Sequence, residues 1–266
     1  EEEVVVVLKI QFPGVRESID TDADGLLKLL GVTFDAESAY HAQNQRMIEA
    51  CRRTWVEECD YGTELANLRT YAHCLAGDPD AAELAWQFAL PRPRPALCSA
   101  RVLCMSFVSG SVVDSLCRDG KWDAPMAVRN SLAARLVRLK FKELFHWHFM
   151  NADPHLGNFH YNAQTDTVGL LDFGNCKRVE PAAALFVARQ MLDAANGDRA
   201  AFVEALSAAT PEAERSLATL RLRSAHFDSM AFLARPFAAD RPFDFRAWFE
   251  DPRLQARRPT HPPSTA

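Results

Sequence analysis

Apolar residues change their period several times along the chain, and each change marks an element. Residues 4–10 read Val-Val-Val-Val-Leu-Lys-Ile, a β-branched run with one charge set into it, and predict a strand. Over 38–75, Tyr40, Met47, Cys51, Trp55, Leu65, Leu68, Tyr71 and Leu75 recur at helical spacing and predict helix. Residues 101–107 predict a second strand. Before it, Pro91-Arg-Pro-Arg-Pro95 reads as a rigid connector, although such a run alone could equally be a polyproline ligand. Ser109-Gly110 marks a turn where the chain crosses between two lobes. Residues 127–149 predict a strong helix with Leu132, Leu136, Leu139 and Leu144 among its buried positions. Residues 159–161 and 168–171 predict a hairpin around 162–166. Three helical stretches follow, the last opening at Thr210-Pro211-Glu212 with proline in its first turn. The proline-bearing segment after Asp251 reads as a disordered tail. There are no internal repeats.

Composition fits this pattern. With 48% hydrophobic and 24% charged residues over 266 positions, the chain can bury a substantial core in one domain or a two-lobed one. A formal net charge of -5 excludes broad nucleic-acid binding, which needs a basic face. No apolar run approaches the roughly 20 residues of a membrane span. The seven cysteines are scattered and form no C-x-x-C pair, which favours reduced thiols over disulfides or a zinc site.

The chemistry concentrates in Asn151-Ala-Asp-Pro-His-Leu-Gly-Asn158 and, after the hairpin, Leu171-Asp-Phe-Gly174. An Asp, an Asn five residues on, and an Asp-Phe-Gly reproduce the phosphoryl-transfer site of kinase-like folds. Asp153 can accept a hydroxyl proton, while Asn158 and Asp172 can hold Mg²⁺ against the phosphates of ATP. Oxygen ligands suit that hard ion, and few are needed because the phosphates supply others. The hairpin returns Asn158 toward Asp172, as a shared ion requires. The same chemistry calls for a lysine on a strand with an acid on a following helix. Lys9 answers the first requirement, although a strand lysine commonly just faces solvent. Glu57, Asp60 and Glu64 share one face of an unbroken helix, so helical geometry leaves the acid open, and Gly62 could interrupt the helix.

Several motifs in order resemble the UbiB family, the aarF-domain atypical kinases, and most of all their eukaryotic ubiquinone-biosynthesis branch. Leu8 to Asp20 resembles the lysine strand and the segment after it. Glu58-Cys-Asp60 resembles the family's E-x-D motif, with Glu64 in the position of the lysine's ion-pair partner. Val102-Leu-Cys-Met-Ser-Phe-Val-Ser-Gly110 resembles the hinge strand, which gives Ser106, Phe107 and Val108 to the nucleotide. Glu143-Leu-Phe-His-Trp-His-Phe-Met150 resembles the helix entering the catalytic loop. Ser224-Ala-His-Phe-Asp228 and Pro242-Phe-Asp-Phe245 resemble motifs near the family's C-terminus. The match runs from about residue 4 to about residue 248.

The resemblance implies an α+β, protein-kinase-like, two-lobed fold. A partial N-lobe over 1–108 would be truncated before the lysine strand, a mostly helical C-lobe would span 109–250, and a tail 251–266. It implies an ATP-binding, Mg²⁺-dependent kinase or ATPase-like protein supporting ubiquinone biosynthesis. Its partners would be nucleotide, ubiquinone-biosynthesis proteins or lipids, and a membrane surface. Its place would be the matrix side of the mitochondrial inner membrane, with a plastid as the alternative and the targeting segment outside this chain. The family's K-x-G-Q motif and Ala-rich nucleotide loop do not occur before Lys9. Ser106 stands where the hinge is usually acidic, and Leu156 where the loop usually has Pro or Ser. The chain therefore reads as a piece of a longer protein, with little ATP turnover expected of the piece alone. Two other readings stand beside this one. One is a non-catalytic pseudokinase scaffold of the same fold. The other is a two-His-one-carboxylate metal site drawn from His146, His148, Asp153, His155 and His160.

Overall fold

The valine-rich opening forms strand β1, Val6–Ile10, in the computed structural model, which describes residues 5–33, 39–114, 124–209, 217–240, 243–244 and 247–248. β1 lies antiparallel to β3, Val102–Ser106, with Lys9 opposite Leu103. Leu103, Cys104 and Met105 are buried, whereas the aliphatic side chains of β1 are exposed. The proline run does more than connect, because it pairs along the far edge of β3. The Arg94 amide donates to the Cys104 carbonyl at 2.8 Å, the Ser106 amide donates to the Arg92 carbonyl at 2.8 Å, and Pro93 bridges to Met105. With proline at every second position, the N–H groups of Arg92 and Arg94 face β3 and the outward positions carry none.

After β1 come two helices, α1 (Val15–Thr33) and α2 (Ala39–Glu58). The sequence reading passes over α1, whose Val15, Ile19, Ala23, Leu27 and Leu30 recur at helical spacing among acids. Arg52 of α2 forms ion pairs with Asp24 and Asp20 of α1. The single helix expected over 38–75 is in fact two helices. Asp60 leaves helical geometry at φ −103° and ψ 98°, and α3 spans Tyr61–Gly77. The Asp60 carboxylate accepts from the Gly62 amide at 2.9 Å, which satisfies an orphan N–H of the new first turn. Glu57, Asp60 and Glu64 therefore share no face. Glu57 pairs with Lys177, Asp60 caps, and only Glu64 is buried.

Helix α4 (Ala81–Gln87) and the short strand β2 (Phe88–Ala89) lead to the proline run. Beyond β3, strand β4 is Ser111–Val112 and helix α5 is Met126–Phe141. Leu132 and Leu139 are buried and Leu136 packs against them. The helix expected to reach 149 stops early. Lys142–His146 widens into a π-turn closed by the Trp147 amide on the Lys142 carbonyl at 2.8 Å, His148 turns the chain at φ 49°, and Phe149–Asn151 becomes strand β5. The wider turn buries Glu143 completely and leaves Leu144 half-buried.

The predicted hairpin forms as β6 (Phe159–Asn162) and β7 (Thr167–Leu170), within a sheet of order β2-β7-β6-β4. At the crossing turn Gly110 has φ +145°, and a Cβ there would stand 2.9 Å from the Tyr161 carbonyl carbon. β5 pairs antiparallel with β8, Cys176–Arg178, which sets Asn151 opposite Cys176. Leu68, Tyr71, Leu139, Phe159, Val168 and Phe173 belong to one core. Phe173 meets the Tyr71 ring edge-on, their centroids 5.1 Å apart.

All of these elements lie in the first of two compact units, Glu1–Glu180 and Pro181–Ala266, so the lobe boundary expected at 108 falls inside the first. The second unit has helices α6 (Pro181–Ala195), α7 (Arg199–Ala208) and α8 (Leu217–Ala238). Asp198 caps α7 through the Ala201 amide, and Ala194, Phe202, Phe227 and Ala234 form its core. The opening at Thr210-Pro211-Glu212, Cys117 and the tail 251–266 lie outside the described residues. Among the described residues no helix is long and apolar enough to cross a membrane.

Candidate functional site

Three elements bring charge together at one cleft. β1 carries Lys9, the first turn of α3 carries Glu64, and the turn after β7 carries Asp172. The Lys9 ammonium donates to both Glu64 oxygens at 2.9 and 2.8 Å and to Asp172 Oδ2 at 3.0 Å, and it lies 5.3 Å from the centre of the Tyr61 ring. Burial alone would lower the Lys9 pKa, but Glu64 and then Asp172 outweigh it and hold the ammonium above its ordinary value. Burial, and next the Asp172 charge, push Glu64 up while Lys9 pulls against them. Contacts from one ammonium to both oxygens are those of an ionised carboxylate. The Asp172 Oδ1 accepts from the Gly174 amide at 2.9 Å, which folds the Asp-Phe-Gly turn back on itself.

Asp153 sits on the loop after β5. Its Oδ2 accepts from Asn158 Nδ2 at 2.9 Å, and the Asn158 carbonyl accepts from the Leu171 amide at 3.1 Å. Asn158 thus links the loop to the strand leading into Asp172. Glu58 completes an acidic wall. Its pKa is raised first by burial and then by Asp172 and Asp153. The cleft is about 340 Å³, lined by Lys9, Glu58, Tyr61, Glu64, Asp153 and Asp172 among others, with Phe12 and Trp55 on its apolar side. That volume is at the small end for a ligand site.

Ser106, Phe107, Val108, Asn158 and Asp60 do not line this cleft. Asp60 lines a neighbouring one of about 540 Å³ beside Gln11 and Arg101. The Ser106 amide and hydroxyl are engaged by Arg92, and the Phe107 amide donates to the Val5 carbonyl at 3.2 Å. Val108 packs on β7, where a Cβ on Gly169 would stand 2.5 Å from Val108 Cγ1.

The donor chemistry fits Mg²⁺ held partly by a ligand's own phosphates. Asp172 presents carboxylate oxygens to the cleft, Asn158 stands outside its lining and is tied to it through Asp153, and among the described residues no three His, Cys, Asp or Glu side chains gather to hold a metal unaided. That corrects the His-carboxylate alternative: three of its histidines are engaged apart, and His160 holds its Nδ1 buried without a hydrogen-bond partner, outside any such group. His146 lies 3.8 Å from Asp78, His148 Nδ1 is 3.1 Å from the Leu144 carbonyl oxygen, and His155 caps the turn at Gly157.

Sequence reasoning missed the polar residues beneath the cleft. Asn67 Nδ2 donates to the Phe173 carbonyl at 2.9 Å, and Asn151 Nδ2 to the Asp172 carbonyl at 2.7 Å. Glu143 is fully buried beside Tyr71 and Lys140. The available signal was an acid and an amide inside otherwise apolar runs.

Comparison with known proteins bears on the family and the fold. The ABC1 atypical kinase-like domain matches residues 1–206. The chain is 32% identical over 254 residues to the atypical kinase COQ8B, mitochondrial, of Rattus norvegicus, covering 96% of this chain and 45% of that protein. It is 29% identical over 246 residues to the atypical kinase COQ8, mitochondrial, of Saccharomyces cerevisiae, covering 91% and 45%. The chain thus spans less than half the length of these relatives. Among solved structures, the Rv3197–erythromycin complex from Mycobacterium tuberculosis superposes with a TM-score of 0.62 at 19% identity, covering 92% of this chain and 58% of that one. At that identity the likeness concerns the fold, which is kinase-like and α+β.

Proposed function

Because this chain belongs to the ABC1 atypical kinase-like family, we propose that its cleft binds ATP with Mg²⁺ and supports phosphoryl transfer or ATP hydrolysis serving ubiquinone biosynthesis in mitochondria. The observation that carries this reading is Lys9, held by ion pairs to both Glu64 and Asp172. An ammonium so placed can meet phosphate oxygens while Glu64 keeps it oriented. Asp172 and Asn158 would hold the ion, which when bound neutralises phosphate charge. Asp153, steadied by Asn158, would take the proton of an attacking hydroxyl or water. Ser106, Phe107 and Val108 would face the base as a hinge between an N-lobe over 1–108 and a C-lobe over 109–250. Glu58 and Asp60 would form the E-x-D motif of this family. Ubiquinone-biosynthesis proteins or lipids at the matrix side of the inner membrane are the partners that the same reading supplies.

The test is thermal melting of the chain with ATP, with and without Mg²⁺. A stabilisation that requires both and is lost in Asp172→Asn is expected. Melting indifferent to nucleotide and ion would overturn the reading in favour of a non-catalytic scaffold of the same fold.

A further inference from the structure

Asn151 uses every hydrogen-bonding group it has, and its side chain reaches two residues that line the cleft. Its Nδ2 donates to the Asp172 carbonyl at 2.7 Å, and its Oδ1 accepts from the Asp153 amide at 3.0 Å. Its own amide donates to Glu143 Oε2 at 3.2 Å, and its carbonyl accepts from Lys140 Nζ at 3.2 Å. The residue is 7% exposed, so none of these groups can turn to water without cost.

We infer that Asn151 is a positioning residue that sets the separation of Asp153 from Asp172, with Glu143 as its anchor; the inference rests on the reading of the cleft as a Mg²⁺–nucleotide site. A bridge between a backbone carbonyl and a backbone N–H needs a donor at one end and an acceptor at the other. A primary amide of this length supplies both without charge. Aspartate offers acceptors only, leucine neither. An uncharged bridge also suits the place, because Asp153 and Asp172 are both acids and a third carboxylate between them would add repulsion. The bridge is set on a rigid base. Glu143, fully buried, receives the Tyr71 hydroxyl at 2.5 Å and Lys140 at 2.8 and 3.0 Å. Tyr71 is itself locked between Trp147 and Phe173. The Ala152 amide donates to the Asn175 carbonyl at 2.8 Å, a second tie between the same two segments. The π-turn has a purpose in this arrangement, since it delivers Glu143 beneath β5.

Three variants separate positioning from packing. Asn151→Asp keeps the volume and the acceptor for the Asp153 amide but loses the donor to Asp172. Asn151→Ala loses both ends. Tyr71→Phe removes one bond to Glu143 and leaves the bridge intact. Without ligand, amide hydrogen exchange at Asp153 is expected to be slow in the unaltered chain and in Asn151→Asp, and about tenfold or more faster in Asn151→Ala. With ATP present, the Mg²⁺ concentration giving half-maximal thermal stabilisation is expected to rise about 10–100-fold in Asn151→Asp, in line with residues that support metal ligands. Tyr71→Phe should melt lower with an unchanged Mg²⁺ midpoint. If Asn151→Ala does not fold, Asn151→Asp carries the test. Variants at Asn151 that melt lower yet keep the Mg²⁺ midpoint and the Asp153 exchange rate of the unaltered chain would overturn the inference. A nucleotide-indifferent unaltered chain would instead sink the reading of the site, and the exchange rates alone would then decide whether the bridge holds the loop.

Discussion

Replacing Lys9 by methionine keeps most of the side-chain volume and removes a cation that touches both Glu64 and Asp172. Glu64 is 2% exposed, and the Lys9 side chain is 33% exposed. Stripping the partner from a fully buried pair costs about 3–5 kcal/mol, and a surface pair is worth about 0–1 kcal/mol. With the acid buried and the lysine a third open to water, a loss of about 2–3 kcal/mol is expected, discounted for solvent screening. For a chain of this size that lowers the melting temperature by about 4–10 °C. The loss should also depend on pH. Once Lys9 is gone, burial and Asp172 hold the Glu64 pKa above its unfolded value, with the Phe173 backbone hydrogen bond left to oppose them. The folded variant then keeps a proton that the unfolded chain has released, so its stability falls as pH rises above the ordinary carboxylate range of about 4.3. Urea unfolding of the unaltered chain and of Lys9→Met at pH 5 and pH 8 measures both effects. The deficit should be larger at pH 8. A deficit equal at the two pH values, or below about 0.5 kcal/mol at pH 8, would refute the view that Lys9 compensates a buried charge.

Three further outcomes follow from the same geometry. Asp172→Asn should weaken Mg²⁺–ATP binding in calorimetry, whereas Asp153→Asn should leave binding largely intact and lower turnover by about 10²–10⁴-fold; equal losses of affinity would end that division of labour. Gly110→Ala should destabilise by about 1–3 kcal/mol, since φ is +145° and Tyr161 leaves no room, while Gly77→Ala, with nothing within 4 Å, should not destabilise. The Cys176 thiol, pushed up to about 12 chiefly by burial, should resist alkylation at pH 8 in a mass-spectrometric time course while the more exposed Cys51 and Cys98 react.

The parts of the fold written in simple periods were legible. The alternation in 159–170 describes the β6–β7 hairpin directly, since Phe159 and Tyr161 face the core by period two. The breaks were harder, because a break depends on a local competitor to regular geometry. Asp60 ends one helix by offering its carboxylate to the next, and nothing in the apolar spacing around it records that choice. Likewise, helical periodicity continues through Glu143, while the buried partners that favour a π-turn lie far off in sequence at Tyr71. At the site, Lys9, Asp153, Asn158 and Asp172 stood out because their types and spacing repeat a known chemistry. Helical spacing alone could not choose Glu64 over Glu57 or Asp60; the resemblance did. Asn151 stayed unread because its work is done through backbone atoms of its neighbours, which leave no mark on residue type.

The proline run beside β3 carries a rule of parity. Arg92 and Arg94 reach Cys104 and Ser106 because they occupy even places in a strict two-residue alternation. A single residue inserted or deleted between Pro91 and Arg94 would swap odd for even. Proline nitrogens, which have no hydrogen to give, would then confront the Cys104 carbonyl, while the arginine amides would point outward to no strand. Two substitutions here are therefore a milder change than one frame-preserving codon gained or lost. Lineages that vary the length of this segment should do so in pairs of residues or not at all.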